Sequence, residues 1–370
     1  MLNVTCPRSG LYEAVQIVSR GVSGRSTQPV QNNIYMEGRG DQLRLVATDL
    51  EFISIQAMLP VTVAEEGAVT APARLLTEVA SSLAEGDVTL SADENQALGI
   101  TCGKSRYAIR GLAAADFQTF PPIAEGLRVS LPQGQLASVL RQTSFATSKD
   151  ETRPILTGAL FSFSGSTMQV VATDTYRLAS RKTDIGVAVP APRTAIVSAR
   201  ALNELLRVLS SDKDEPVNLA VADNQIEFEV GAVKVASRLI EGQFPNYEKV
   251  IPDSHDKRLT VGLDDLEHSL RRAQIVARED AYRVVLKVDG DVLQISAESQ
   301  DVGKVMEEVA CQLEGEPAEI AFNCRYLLDV LEALDSEQVH IDLSGPLNPG
   351  MIRAQGVDDY LYVLMPMQIM

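Results

Sequence analysis

The chain has 370 residues, enough for two or three domains that each bury a core of their own. With 45% apolar and 22% charged residues it has the make-up of a globular protein, and no run of about 18 apolar residues is present to span a membrane as a helix. A formal charge of −17 excludes wrapping of nucleic acid by bulk positive charge, so any phosphate contact must come from how the basic residues are distributed.

The first residues, Met1 to Arg8, lack a basic segment followed by an apolar core, which argues against a secretory signal. Cys6, Cys102, Cys311 and Cys324 are scattered without a C-x-x-C pair, the pattern of reduced thiols, and a cytoplasmic location is expected. Leu11, Ala14, Val15 and Val18 form an i, i+3, i+4, i+7 stripe that predicts an amphipathic helix. Leu43–Thr48 alternates with period two and predicts a strand running into Val46-Ala47-Thr48-Asp49. Pro72-Ala73-Arg74-Leu75-Leu76 leads into Val79 and Leu83, a second helix with proline at its start. Gly103-Lys104-Ser105 ends like a phosphate-binding loop, but Leu98 stands where its first glycine belongs. Arg106–Arg110 then alternates as a strand, so no nucleotide site is expected. Phe120-Pro121-Pro122-Ile123 closes the segment as a linker.

The same series then recurs. Leu136, Val139, Leu140 and Thr143 repeat the first helix, and Val170-Val171-Ala172-Thr173-Asp174 repeats the strand 125 residues on. Ser198-Ala199-Arg200 announces a second helix, Gln225–Val230 alternates, and Phe244-Pro245-Asn246-Tyr247 to Ile251-Pro252-Asp253 closes the segment. A third copy has Leu266-Glu267-His268-Ser269-Leu270, Val292–Ser296 followed by Ala297-Glu298, and Asn323-Cys324-Arg325. The arginines that open the second helices stand at 74, 200 and 325, spacings of 126 and 125. A repeat this long is a whole small domain rather than a solenoid unit. The expected organisation is α+β, with domains at 1–122, 128–250 and 256–370, each of two helices and several antiparallel strands. So many strands leave open sheet edges unless neighbouring repeats pair them.

Charge is unevenly spread over the helices. No acid occurs from Gly134 to Lys149, where Arg141 and Lys149 stand, nor from His268 to Arg278, which carries Arg271 and Arg272. Asp264, Asp265 and Glu267 open that third-repeat helix, where the helix dipole favours carboxylates. Solvated helix faces alone could account for this, but its recurrence on the same helix of an acidic chain points to non-specific phosphate contact. Reaction chemistry is missing. His255, His268 and His340 have no metal-ligand spacing, no G-x-S-x-G occurs, and the repeated Asp49 and Asp174 read as turn or cap residues after a strand. No catalytic set, metal or cofactor is expected.

Several of these stretches resemble the bacterial DNA polymerase III beta subunit, the sliding clamp. They are Ala172-Thr173-Asp174-Thr175-Tyr176-Arg177-Leu178-Ala179, Pro72-Ala73-Arg74, Gly242 to Tyr247, Tyr326 to Leu331 and Tyr362-Val363-Leu364-Met365-Pro366-Met367, in the family's order over the whole chain. The resemblance implies three tandem DNA-clamp domains that close as a head-to-tail homodimer into a six-domain ring. It implies double-stranded DNA threaded through the ring without sequence specificity. DNA polymerase III alpha subunit, clamp loader, other polymerases and repair proteins would dock by short peptide motifs, with no membrane involved. By residue-wise carry-over the peptide pocket would be Leu156, Thr173, Thr175, Tyr176, Arg177, Leu178, Pro245, Val250, Val363, Met365, Pro366 and Met367. The DNA-facing set would be Arg25, Arg74, Arg141, Lys149, Arg153, Arg200, Arg271, Arg272 and Arg325, and the dimer seam Tyr107 and Ile109 against Ile275 and Val276. The chain departs from the family pattern at Thr175, where glycine or serine is common, at Gln28 before Pro29, and in Gln368-Ile369-Met370 after the terminal M-P-M. A monomeric three-domain peptide-binding adaptor that encircles nothing is the alternative function, and an unrecognised hydrolase a more distant one.

Overall fold

The structure is a computed structural model, and it describes residues 2–22, 28–93, 96–210 and 214–369. Six α-helices lie among the described residues: α1 Arg8–Val18, α2 Ala73–Ser82, α3 Gln133–Thr143, α4 Ala199–Val208, α5 Leu263–Ala277 and α6 Cys324–Ala333. They fall two to each sequence repeat, as the stripes predict. In α1 the buried residues are Leu11, Ala14, Val15 and Val18, the predicted face. The second helices begin one residue after Pro72, Ser198 and Asn323. Asn323 caps α6 with its side-chain oxygen, which accepts from the N–H groups of Arg325 and Tyr326, whereas Pro72 makes no side-chain cap.

All strand pairings are antiparallel and fall into three sheets among the described residues. A five-stranded sheet runs Thr62–Glu65, Leu2–Pro7, Asp87–Ala92, Ala97–Cys102, Ser105–Arg110. Gly103 (φ 55°) and Lys104 make the two-residue turn between its last two strands, so the phosphate-loop lookalike is a hairpin. An eight-stranded sheet contains Val233–Arg238 of the middle repeat beside Ile53–Pro60 of the first, with Val235 opposite Ile55. A twelve-stranded sheet contains Arg177–Asp184 of the middle repeat beside Tyr360–Leu364 of the last, with Ala179 opposite Tyr362. Neighbouring repeats therefore pair their edges, as the edge argument requires.

This pairing governs compactness. The chain divides into two compact units, Met1–Ala137 with Arg200–Ile240, and Ser138–Ala199 with Glu241–Met370. The middle repeat contributes to both, because each of its two edge strands bonds to a different neighbour. Strand residues buried to the last few per cent line both cores, among them Val170, Val171, Ala172, Phe161 and Phe163 in one unit and Leu43, Leu45, Ile55 and Phe228 in the other. All four cysteines are buried thiols. Burial, with Asp87 nearby, pushes the Cys6 thiol up to about 11, and burial pushes Cys324 up to about 12.

Candidate functional site

The repeated Val-Ala-Thr-Asp ends in a corner, and the corner is built from its own side chains. In the middle repeat Thr173 donates its hydroxyl to the Arg177 carbonyl at 2.7 Å and accepts the Thr175 N–H at 3.2 Å. One Asp174 oxygen accepts the N–H groups of Tyr176 and Arg177, both at 3.0 Å. In the first repeat Asp49 plays the same part for Glu51, Phe52 and Ile53. The aspartates are thus backbone caps, as expected of them. The tight reversal needs a left-handed residue after each aspartate, and it is Leu50 (φ 61°) in one copy and Thr175 (φ 80°) in the other. A β-branched residue in that conformation is strained by about 1–2 kcal/mol, which explains why glycine or serine suits the position.

The corner sends Arg177 inward and leaves Tyr176 59% exposed. Arg177 is 8% exposed. Its Nε donates to Asp174 at 3.0 Å, Nη1 to Asp329 of α6, and Nη2 to the Phe145 carbonyl at 2.8 Å. The guanidinium carbon lies 4.2 Å from the centre of the Tyr326 ring and 5.4 Å from that of Phe145. Burial disfavours its charge, but Tyr362, the Asp329 hydrogen bond and both carboxylates outweigh that, and its pKa moves up.

Beside Arg177 opens a cavity of about 170 Å³, lined by Leu156, Thr173, Thr175, Arg177, Leu178, Pro245, Asn246, Tyr247, Val250, Val363 and Met365. Most of the residues assigned to the pocket by resemblance therefore meet around one space. Tyr176, Pro366 and Met367 are not in its lining. The Tyr176 carbonyl accepts the Met365 N–H, which sets the direction of the terminal segment, and Met367 bridges to Ala321 instead, its N–H bonding that carbonyl at 2.8 Å. Asn246 and Tyr247 also line it, although Phe244-Pro245-Asn246-Tyr247 reads as a linker in the sequence. The linker is a wall, with Tyr247 edge-on to Phe244 at 6.4 Å. The mixture of aliphatic walls, a thioether and a few polar groups suits an apolar anchor presented on a peptide.

The assigned basic residues are held in several ways. Arg200 is tied to the buried Asp49 and to the Val22 carbonyl. Arg153 closes the loop at Asp150, and Arg74 pairs with Glu78 on its own helix. Arg271 bonds both Glu267 and Glu332, Arg272 bonds Glu307, and Arg325 lies over the Tyr282 ring at 5.1 Å. Arg141 and Lys149 are exposed, and Arg25 lies outside the described residues. Of the seam residues Tyr107 and Ile275 are exposed, Val276 is half-buried, and Ile109 is buried within its own unit. No group of three or more His, Cys, Asp or Glu that could hold a metal occurs among the described residues, and no helix there is long and apolar enough to cross a membrane.

Comparison with known proteins matches three family models end to end: the N-terminal domain of the DNA polymerase III beta subunit over residues 2–121, its central domain over 130–246 and its C-terminal domain over 248–368. A beta sliding clamp from Synechocystis is 35% identical, and one from Staphylococcus aureus 31%, each with both chains fully covered. Among solved structures, the DNA polymerase sliding clamp of Bacillus subtilis superposes with a TM-score of 0.95 at 28% identity. The Pseudomonas aeruginosa clamp bound to griselimycin does so at 0.94 and 32%, again with full coverage of both chains.

Proposed function

Because the chain belongs to the DNA polymerase III beta subunit family, we propose that it works as a sliding clamp, encircling double-stranded DNA as a head-to-tail dimer and tethering replication proteins through the cavity beside Arg177. A clamp is a processivity factor and not an enzyme, which accords with a site whose strongest features are an apolar slot and a buried, fully engaged guanidinium. That slot, assembled from two repeats within one compact unit, is the observation that carries the docking half of the proposal.

Ring closure is supported by two strand edges. Ser105–Arg110 ends the five-stranded sheet and presents Arg106, Tyr107 and Arg110 to solvent. Residues 303–310 pair with Val292–Ser299 on one side and with no described strand on the other, and they carry Lys304, the exposed Met306, Glu308 and Glu307, the last already bonded to Arg272. Glu308 can face the bases of the first edge and Met306 its aromatic, and pairing the two strands removes two open edges at once. We place the phosphate contacts on exposed bases such as Arg74, Arg141 and Lys149, and the protein in the cytoplasm. Retention by topology needs few tight contacts, which fits the net charge of −17. Loading the protein on nicked circular DNA and then linearising the DNA tests the whole proposal. A clamp slides off the cut ends, whereas retention that survives cutting identifies an ordinary DNA ligand.

A further inference from the structure

Arg177 lines the cavity yet is held from outside it, and one of its holders belongs to another repeat. Asp174 already serves the corner backbone with its first oxygen and Arg177 Nε with its second. The Phe145 carbonyl takes Nη2. What remains, Nη1, is oriented by Asp329, a carboxylate on α6 whose side chain is 38% exposed and which does not line the cavity. Tyr326 and Asp329 are three residues apart, so they share one face of α6 and present a ring and a carboxylate to the same guanidinium. The Tyr326 carbonyl is in turn fixed by the hydroxyl of Tyr362, which is fully buried on the strand that also carries Val363 of the cavity wall. An arginine side chain left free loses rotamer entropy on ordering. Here that ordering is complete before any ligand arrives.

We propose that Asp329 is a positioning residue for the partner-binding cavity: it locks the Arg177 guanidinium against α6 so that the wall beside Thr173, Thr175 and Leu178 is preformed, and peptide affinity depends on it without contact to the peptide. This rests on the cavity being the docking site. Asp329 acts across the boundary between the middle and last repeats, so the site is a property of the repeat junction. Its carboxylate is half in solvent and can be altered without opening a core.

The test is fluorescence anisotropy of the full-length protein with a fluorescein-labelled peptide carrying a Gln-Leu-Ser-Leu-Phe core, alongside thermal melts. Removing a charge-assisted hydrogen bond that orders the wall is expected to weaken binding about tenfold in Asp329→Ala, mostly through faster dissociation. Asp329→Glu restores a carboxylate with room to reach from a half-exposed position, and is expected to recover most of the affinity. Glu332→Ala removes another α6 carboxylate, one that bonds Arg271 and not Arg177, and should bind as the unaltered protein does. Equal affinity of Asp329→Ala and the unaltered protein overturns the proposal. So does a loss in Asp329→Ala that Asp329→Glu fails to recover, or one matched by Glu332→Ala, since either reduces the effect to helix stability or bulk charge. Failure of the unaltered protein to bind the peptide would instead count against the docking site itself.

Discussion

Arg177 and Asp329 stand 152 residues apart and meet at 2.5 Å; Asp49 and Arg200, 151 residues apart, meet at the same distance. Each pair joins the corner of one repeat to the second helix of the next, but with acid and base exchanged. In the first repeat the corner supplies the carboxylate and the helix the guanidinium, whereas at the second junction the strand supplies Arg177 and the helix Asp329. The helix position 125 residues after Arg200 is Arg325, which is turned to the Tyr282 ring. The exchange puts a buried cation beside the cavity at one junction and a buried anion at the other. It also gives Arg200 a structural duty ahead of any DNA contact.

Removal of Asp49 is therefore expected to cost more than removal of Arg200. Asp49 satisfies three backbone N–H groups and a guanidinium while buried, so Asp49→Ala should lose about 3 kcal/mol. Arg200 is more than a third exposed at its side chain, and Arg200→Ala should lose about 1 kcal/mol or less. Urea denaturation compares the two; a larger loss for Arg200→Ala would contradict the capping account.

At Thr175 the left-handed backbone strains a β-branched side chain, and Thr175→Gly should raise stability by about 1 kcal/mol despite glycine's extra unfolded-state entropy. The check is the midpoint of thermal unfolding. No rise would mean that the corner hydrogen bonds dictate a φ that threonine tolerates.

Val250 is 47% exposed and lines the cavity, and so can be changed without touching a core. Val250→Asp should leave the melting temperature in place and weaken the labelled peptide at least about tenfold, by setting a charge where an apolar anchor sits. Unchanged affinity would move the docking site elsewhere.

Ile275 is 62% exposed in the single chain, so Ile275→Glu should fold normally. Sedimentation at micromolar concentration is expected to show dimers for the unaltered protein and monomers for this variant. Monomers for both would remove the ring and leave a peptide-binding adaptor.

His340 bears on the acid side of the stability curve. Burial first, then Arg258, holds His340 below its ordinary 6.5, while its Nδ1 lies 2.9 Å from the Thr260 hydroxyl. Its folded pKa is depressed, so the unfolded chain binds the proton more readily. The stabilisation is complete above pH 6.5 and is lost as pH falls below that value. His340→Gln should flatten the dependence of the urea midpoint between that value and the range where carboxylates begin to titrate. An unchanged difference between the two proteins across that window would refute it.

The periodic features are legible in the residues alone. Apolar stripes at 3.6-residue spacing located six helices to within a few residues, because burying one face is a local requirement of the residues that carry it. The repeat of Val-Ala-Thr-Asp located the corners, because an aspartate two residues before unpaired N–H groups caps them wherever it occurs. What sequence could not disclose is which copy of a shared scaffold has become a site. Asn246 and Tyr247 read as linker, and Asp329 as one more solvated helix carboxylate, since nothing local distinguishes a residue whose partner is 152 positions away. Arg200 reads like its counterparts at 74 and 325, and only the fold sets Asp49 against it. The division into compact units is not written in the residues: it follows strand pairing between repeats, Val235 with Ile55 and Ala179 with Tyr362, and backbone hydrogen bonding leaves no mark on the side chains that flank it.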